Sequence, residues 1–145
     1  MNVKNEFSLT VDAKSVNEGF CRTAVSAFVT PLDPTIEELA DLKTAVSEAV
    51  TNCIVHGYRE ACGKIYLSAQ LLENNNVRIT IKDKGVGIED VKLAMLPLYS
   101  TGEGDRAGLG FTVMQSFCDR VKVNSASGKG TTVILTKRIR GKSQW

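Results

Sequence analysis

Ile65-Tyr66-Leu67-Ser68-Ala69-Gln70-Leu71, then Asn74-Asn75-Asn76, then Val77-Arg78-Ile79-Thr80-Ile81-Lys82-Asp83 alternates apolar and polar residues on both sides of a polar triplet. Period-two alternation marks a half-buried strand, and asparagine accepts the backbone of a tight turn. The stretch therefore predicts an antiparallel hairpin ending at Asp83. Upstream, Leu39, Leu42, Val46, Ala49 and Cys53 recur at helical spacing. Thr35 and Glu38 form a capping-box pattern ahead of them, so a second helix should end near His56 and Gly57. His56-Gly57 there is most simply a C-terminal cap, with the histidine interacting favourably with the helix dipole.

Before Pro31 and Pro34, Ser15 and Glu18 repeat the capping pattern, and Val16, Phe20, Ala24 and Ala27 suggest a first helix over residues 16 to 30. Phe7, Leu9 and Val11 alternate as a strand ahead of it. Downstream, residues 84 to 107 are punctuated by glycine, with a short helix expected at residues 91 to 95. Gly108 to Gly110 should open a third helix carrying Val113, Met114 and Phe117. Strands around residues 121 to 125 and 131 to 137 flank a turn at Gly128 and Gly130. Hairpins and helices without regular strand-helix alternation point to an α+β sandwich, with helices on one face of the sheet.

At 145 residues the chain is one domain's length, residues 1–145, with 43% hydrophobic and 23% charged residues, a globular composition. Eighteen lysines and arginines against 16 aspartates and glutamates leave +2, too little to argue for nucleic acid or membrane as a partner. The first 14 residues are charged and lack the apolar core of a secretion signal, and no apolar run approaches the ~18 residues of a membrane span, so a cytoplasmic location is expected. Cys21, Cys53, Cys62 and Cys118 have no metal-ligand spacing, and His56 is the sole histidine. The helical cysteines read as small buried hydrophobes.

Glycine is ordinary in number and unusual in distribution. Of twelve, Gly85, Gly87, Gly102, Gly104, Gly108 and Gly110 fall within 26 residues. Three constellations involve them or precede them. Glu48 and Asn52 lie about 40° apart on the second helix, opposite its apolar stripe and near Asp41 and Ala45. Such a pair is ordinarily a solvated face, yet Mg²⁺ wants few, hard oxygen ligands, and a glutamate there could take a proton. Asp83-Lys84-Gly85-Val86-Gly87 is ordinarily a turn; functionally, Asp83 could accept from an exocyclic amine while the glycines admit a flat ring. Gly108-Leu109-Gly110-Phe111 opens a helix whose free amides suit phosphate, behind a polar run, residues 100 to 107, that reads as a lid carrying Arg106. Gly128-Lys129-Gly130-Thr131-Thr132 lacks the spacing and following helix of a phosphate loop, and Gly108-x-Gly110 lacks the third glycine of a dinucleotide fingerprint.

In order and spacing, Glu48-Ala49-Val50-Thr51-Asn52-Cys53-Ile54-Val55-His56-Gly57-Tyr58 resembles the N box, and the Asp83 and Gly108 segments resemble the two glycine boxes, of the GHKL ATPase/kinase superfamily. Within it the chain is similar to the anti-sigma serine kinases, nearest their sporulation branch, through Asn17-Glu18-Gly19-Phe20-Cys21-Arg22, Leu32-Asp33-Pro34-Thr35, residues 43 to 52, and Gly130-Thr131-Thr132. The resemblance implies a two-layer α/β sandwich of the Bergerat type, with a mixed sheet and helices on one face. It implies ATP and Mg²⁺ as cofactors and a homodimer. As partners it implies a sigma factor, which the protein sequesters, and a small anti-anti-sigma protein, phosphorylated on serine.

Residue by residue, the resemblance makes Glu48 the general base and Asn52 the Mg²⁺ ligand. Asp83 contacts the adenine amino group, with Gly85 and Gly87 beside it and Thr131 or Thr132 assisting. Gly108 and Gly110 approach the phosphates, Thr101 and Arg106 belong to the lid, and Arg22 contacts a partner. The lid departs from the family pattern, with Gly102-Glu103-Gly104-Asp105 replacing a stiffer, proline-containing stretch. Alternatives are a nucleotide-dependent sigma-binding module without kinase activity, and a kinase of the same family serving a stress sigma factor. A histidine kinase catalytic domain would need an upstream phosphoacceptor helix that the 47 residues before Glu48 are not expected to hold.

Overall fold

The computed structural model describes residues 2–95 and 106–142, and of 106–109 the backbone alone. In chain order the strands are β1 (Val3–Asp12), β2 (Lys64–Leu72), β3 (Asn76–Asp83), β4 (Arg120–Ser125) and β5 (Thr131–Arg138). The α-helices are α1 (Val16–Phe28), α2 (Ile36–Asn52), α3 (Val91–Ala94) and α4 (Arg106–Phe117). The expected hairpin is β2–β3, pairing Leu67 with Ile81 and Ala69 with Ile79. Asn74 and Asn75 close it with φ of 60° and 58°, the left-handed region that asparagine tolerates better than most residues.

The sheet order is β1-β2-β3-β5-β4, and every pairing is antiparallel. The expected mixed sheet is thus corrected in this detail, while the two-layer α+β architecture stands. The reason is topological. β3 and β4 run parallel, as a strand-helix-strand crossover requires, but β5 turns back from β4 and inserts between them. The inward residues, Ile65, Leu67, Ala69, Val77, Ile79, Ile81, Val133 and Leu135, are buried against the helices. Positions that alternate with them, including Arg78, Thr80, Lys82, Ile134 and Thr136, form the other, partly solvated face.

α2 is the central helix, packed on both α1 and α4. Its start is the predicted capping box in full: Glu38 N–H donates to Thr35 Oγ1, and Thr35 N–H donates to Glu38 Oε1, both at 3.0 Å. Leu42, Val46, Ala49, Val50 and Cys53 are buried, each large aliphatic contributing about 1.5–3 kcal/mol. After Asn52 the chain widens into a single π-helical turn, Cys53–Gly57, closed by Tyr58 N–H donating to Cys53 O at 2.9 Å.

α1 departs from its expected face. Cys21, Val25 and the following Val29 are fully buried, whereas Val16 and Phe20 are 77% and 55% exposed. The buried stripe is rotated by roughly a third of a turn from the one that the larger apolar residues suggest. Ser15 has helical φ and ψ of -57° and -29° and does not cap the helix, and the Glu18 carboxylate reaches instead to Thr51 of α2, accepting from its Oγ1 at 3.2 Å and from Arg22 Nη1 at 3.1 Å.

Candidate active site

Glu48 and Asn52 stand one turn apart on α2, on a face that α4 crosses instead of leaving to solvent. Gly110 lies at the crossing. A Cβ built there would be 3.1 Å from Asn52 Oδ1, 3.2 Å from Asn52 Nδ2 and 3.3 Å from Glu48 Oε2. Ala45 is fully buried on the same side. Both polar atoms of the Asn52 side chain are buried, and among the described residues neither finds a hydrogen-bond partner. An amide left so costs about 1–3 kcal/mol, a cost that a bound group can relieve. An amide oxygen beside a carboxylate fits Mg²⁺, which takes few protein ligands and completes its shell with phosphate and water. No cluster of three or more histidine, cysteine or acidic residues that could hold a metal occurs among the described residues.

Across the π-helical turn, β3 delivers Asp83 to the helix side of the sheet, 3% exposed. Burial pushes its carboxyl above the ordinary aspartate range; the Gly85 amide, 2.9 Å from Oδ1, the Cys53 thiol and the Thr131 amide pull the other way. Cys53 is pushed well up by the same burial and by the neighbouring carboxylate. A Cβ at Gly57 would come within 2.7 Å of Asp83 Oδ2, so the turn must carry glycine to lie over the acid.

The glycines after Asp83 meet a packing requirement of their own, and Gly87 has the positive φ expected of a turn. A Cβ at Gly85 would collide with the Gly57 carbonyl, and Gly87 has φ +77° with the Ala126 carbonyl where a Cβ would go. Both are required by the chain's own packing, before any ring approaches. Thr131 shares Asp83's face, its hydroxyl 2.8 Å from Ser125 Oγ. Thr132 pairs with Lys82 and Asn124 and lies on the opposite face, so it is not brought to the site.

α4 begins at Arg106, two residues before its expected start, which puts Gly108 inside its first turn. Thr101, the rest of residues 96–105 and the Arg106 side chain lie outside the described residues. Arg22 is half-exposed on α1, ion-paired with Glu18 at 3.1 Å and 3.5 Å from Ser47 Oγ. A groove of about 340 Å³ between α1 and α2 runs from Arg22 past Lys43 and Ser47 to Glu48. Sequence reasoning passed over Cys53 as a neighbour of Asp83, and Tyr58, whose hydroxyl bonds to the backbone just after Asp83. The signal available for the latter was Gly57-Tyr58 ahead of Gly63, the glycine on which the tyrosine ring lies.

A helix presenting Glu48 and Asn52, Gly110 of α4 against both, and a buried acid at the end of β3 are the arrangement of a kinase-like, ATP-using domain. The chain belongs to the histidine kinase-like ATPase domain family, whose model matches residues 10–137. It is 54% identical over 140 residues to the anti-sigma F factor of Thermoanaerobacter sp. (strain X514), covering 96% of this chain and 97% of that one. It is 49% identical over 139 residues to the anti-sigma F factor of Bacillus subtilis (strain 168), covering 94% of each. Among solved structures, the RsbU and RsbW domains of Rv1364c from Mycobacterium tuberculosis share the fold with a TM-score of 0.67 at 22% identity; the match covers 94% of this chain and 33% of that one. The histidine kinase domain from the Erythrobacter litoralis EL346 blue-light activated histidine kinase has a TM-score of 0.55 at 18% identity, covering 84% of this chain and 61% of that one. Among the described residues, no helix is long and apolar enough to cross a membrane.

Proposed function

We propose that this protein is a cytoplasmic anti-sigma factor and serine kinase. It binds a sporulation sigma factor, blocking its use in transcription, and with Mg-ATP it phosphorylates a serine on a small anti-anti-sigma protein. Names borne by relatives about half identical over nearly their whole length support this reading. The observation that carries it is the Asn52 side chain, buried with both polar atoms unsatisfied beside Glu48 and under Gly110.

In this reading Asp83 accepts from the adenine amino group, with Thr131, Gly85 and Gly87 around it. The start of α4 brings Gly108 and Gly110 to the phosphates, and Thr101 and Arg106 belong to the lid. Asn52 would hold Mg²⁺, which when bound neutralises phosphate charge. Glu48 takes the proton of the incoming serine hydroxyl as that oxygen bonds to the γ-phosphorus; the bond from the γ-phosphorus to the bridging oxygen breaks and ADP leaves. The serine reaches Glu48 along the groove that begins at Arg22, the proposed partner contact. A single domain over residues 1–145 performs this as a homodimer, without contacting nucleic acid.

The test mixes the protein with γ-labelled ATP, Mg²⁺ and the candidate anti-anti-sigma protein of the same genome. Label should appear on a serine of that protein. Glu48→Gln should keep ATP affinity within about twofold and slow single-turnover transfer by about 10²–10⁴-fold. An undiminished rate removes Glu48 as the base, and absence of transfer by the wild type leaves a sigma-binding module alone.

A further inference from the structure

Tyr58 leaves the π-helical turn with its hydroxyl between two strands. It donates to Lys64 O at 2.6 Å and accepts from Lys84 N–H at 2.7 Å. The register that pairs Tyr66 with Lys82 brings Lys64 opposite Lys84 at the next step of that ladder. The last rung between β2 and the end of β3 is therefore made through a side-chain hydroxyl. The ring lies on Gly63, where a Cβ would overlap it. One residue earlier, Gly57 O accepts from Val86 N–H at 2.8 Å. Residues 57 and 58 thus hold the backbone at 84 and 86, on either side of Gly85, whose own amide fixes Asp83 Oδ1 at 2.9 Å.

We propose that Tyr58 is a positioning residue for purine recognition: its hydroxyl fixes the backbone that follows Asp83, and so aims the buried carboxylate at the exocyclic amine of the nucleotide. The inference rests on the adenine contact proposed for Asp83. The geometry separates aim from stability. Both bonds of the hydroxyl are exposed, so water can replace it on the Lys64 and Lys84 backbone groups at small cost. Water does not replace a rigid spacer tied to the turn over Asp83. Phenylalanine keeps the ring on Gly63 and removes only the rung.

The experiment measures the affinity of the full chain for Mg-ATP and for Mg-purine riboside triphosphate, which lacks the 6-amino group, by titration calorimetry. Wild-type protein should prefer ATP. Tyr58→Phe should melt within a few degrees of wild type. It should lose about five- to tenfold in ATP affinity, as expected when a charged hydrogen bond is misaligned and only part of its worth is lost, and less than about twofold for the amine-free nucleotide. Gly63→Ala, which displaces the ring from the other side, should show the same loss of discrimination, and the double variant should show no more. Equal losses for both nucleotides, or undiminished preference for ATP in Tyr58→Phe, overturn the assignment of Tyr58. Wild-type protein that binds the two nucleotides equally overturns the Asp83 reading itself and the inference with it.

Discussion

Asp83 is held in a place that opposes its charge. Burial raises its carboxyl pKa against three hydrogen-bond donors, and a group whose folded pKa is raised costs stability when ionised. That cost is full above the folded pKa and fades as the pH falls toward the ordinary aspartate value of 3.8. Asp83→Asn is therefore expected to raise the unfolding midpoint near pH 7, a gain that shrinks toward pH ~4. ATP affinity should fall by at least about tenfold in the same variant. Thermal melts across that pH range, with ATP titrations beside them, check both; a stabilisation independent of pH would mean that burial of the charge is not its source. A residue kept at a cost to stability is what a binding group looks like. Gly85 and Gly87 show the opposite case, since the Gly57 and Ala126 carbonyls and the φ of +77° at Gly87 already require glycine there.

At the scale of elements, the two long helices were legible to different degrees. α2 carries a complete capping box and a stripe buried as expected, because it is packed on several sides and its apolar residues have one place to go. α1 lies at the margin of the helical layer, where small residues, Cys21 and Val25, fit under it while Val16 and Phe20 stay outside. Periodicity weighs size and spacing, and here the larger residues shared a period with the wrong face. Val25→Ala is expected to cost about 2 kcal/mol in urea unfolding, and Phe20→Ser less than about 0.5 kcal/mol. Comparable losses in the two variants would mean that Phe20 is covered in solution. The Glu18 carboxylate, drawn from the expected cap to Thr51 and Arg22, shows the same competition between local and tertiary partners.

Across the whole molecule, a net charge of +2 hides an uneven surface. Arg78, Lys82, Arg120, Lys122 and Arg138 share the open face of β3, β5 and β4, at positions that carry no acidic residue. The proposed nucleotide site lies on the helical side, where the Arg22-Glu18-Thr51 contacts join α1 to the helix of Glu48 and Asn52. These links are exposed enough to rearrange without disturbing the core. Arg22→Ala is accordingly expected to weaken partner binding by about tenfold or more while leaving ATP affinity within about twofold. Calorimetry with the partner and with ATP separates the two, and a parallel loss of ATP affinity would make Arg22 part of the nucleotide site.

Local order along the chain determined the β2–β3 hairpin, the capping box of α2, the pairing of Glu48 with Asn52 and the place of Asp83 at a strand end. Each depends on residues within a few positions of one another, where period, turn preference and capping act directly. Tertiary structure alone decided that β5 enters between β3 and β4, that Thr131 and not Thr132 joins Asp83, and that α4 lays Gly110 over Asn52. It alone placed the Tyr58 hydroxyl between Lys64 and Lys84. Those contacts join residues far apart along the chain, and what selects them is the burial of one shared core, to which no short stretch of sequence has access.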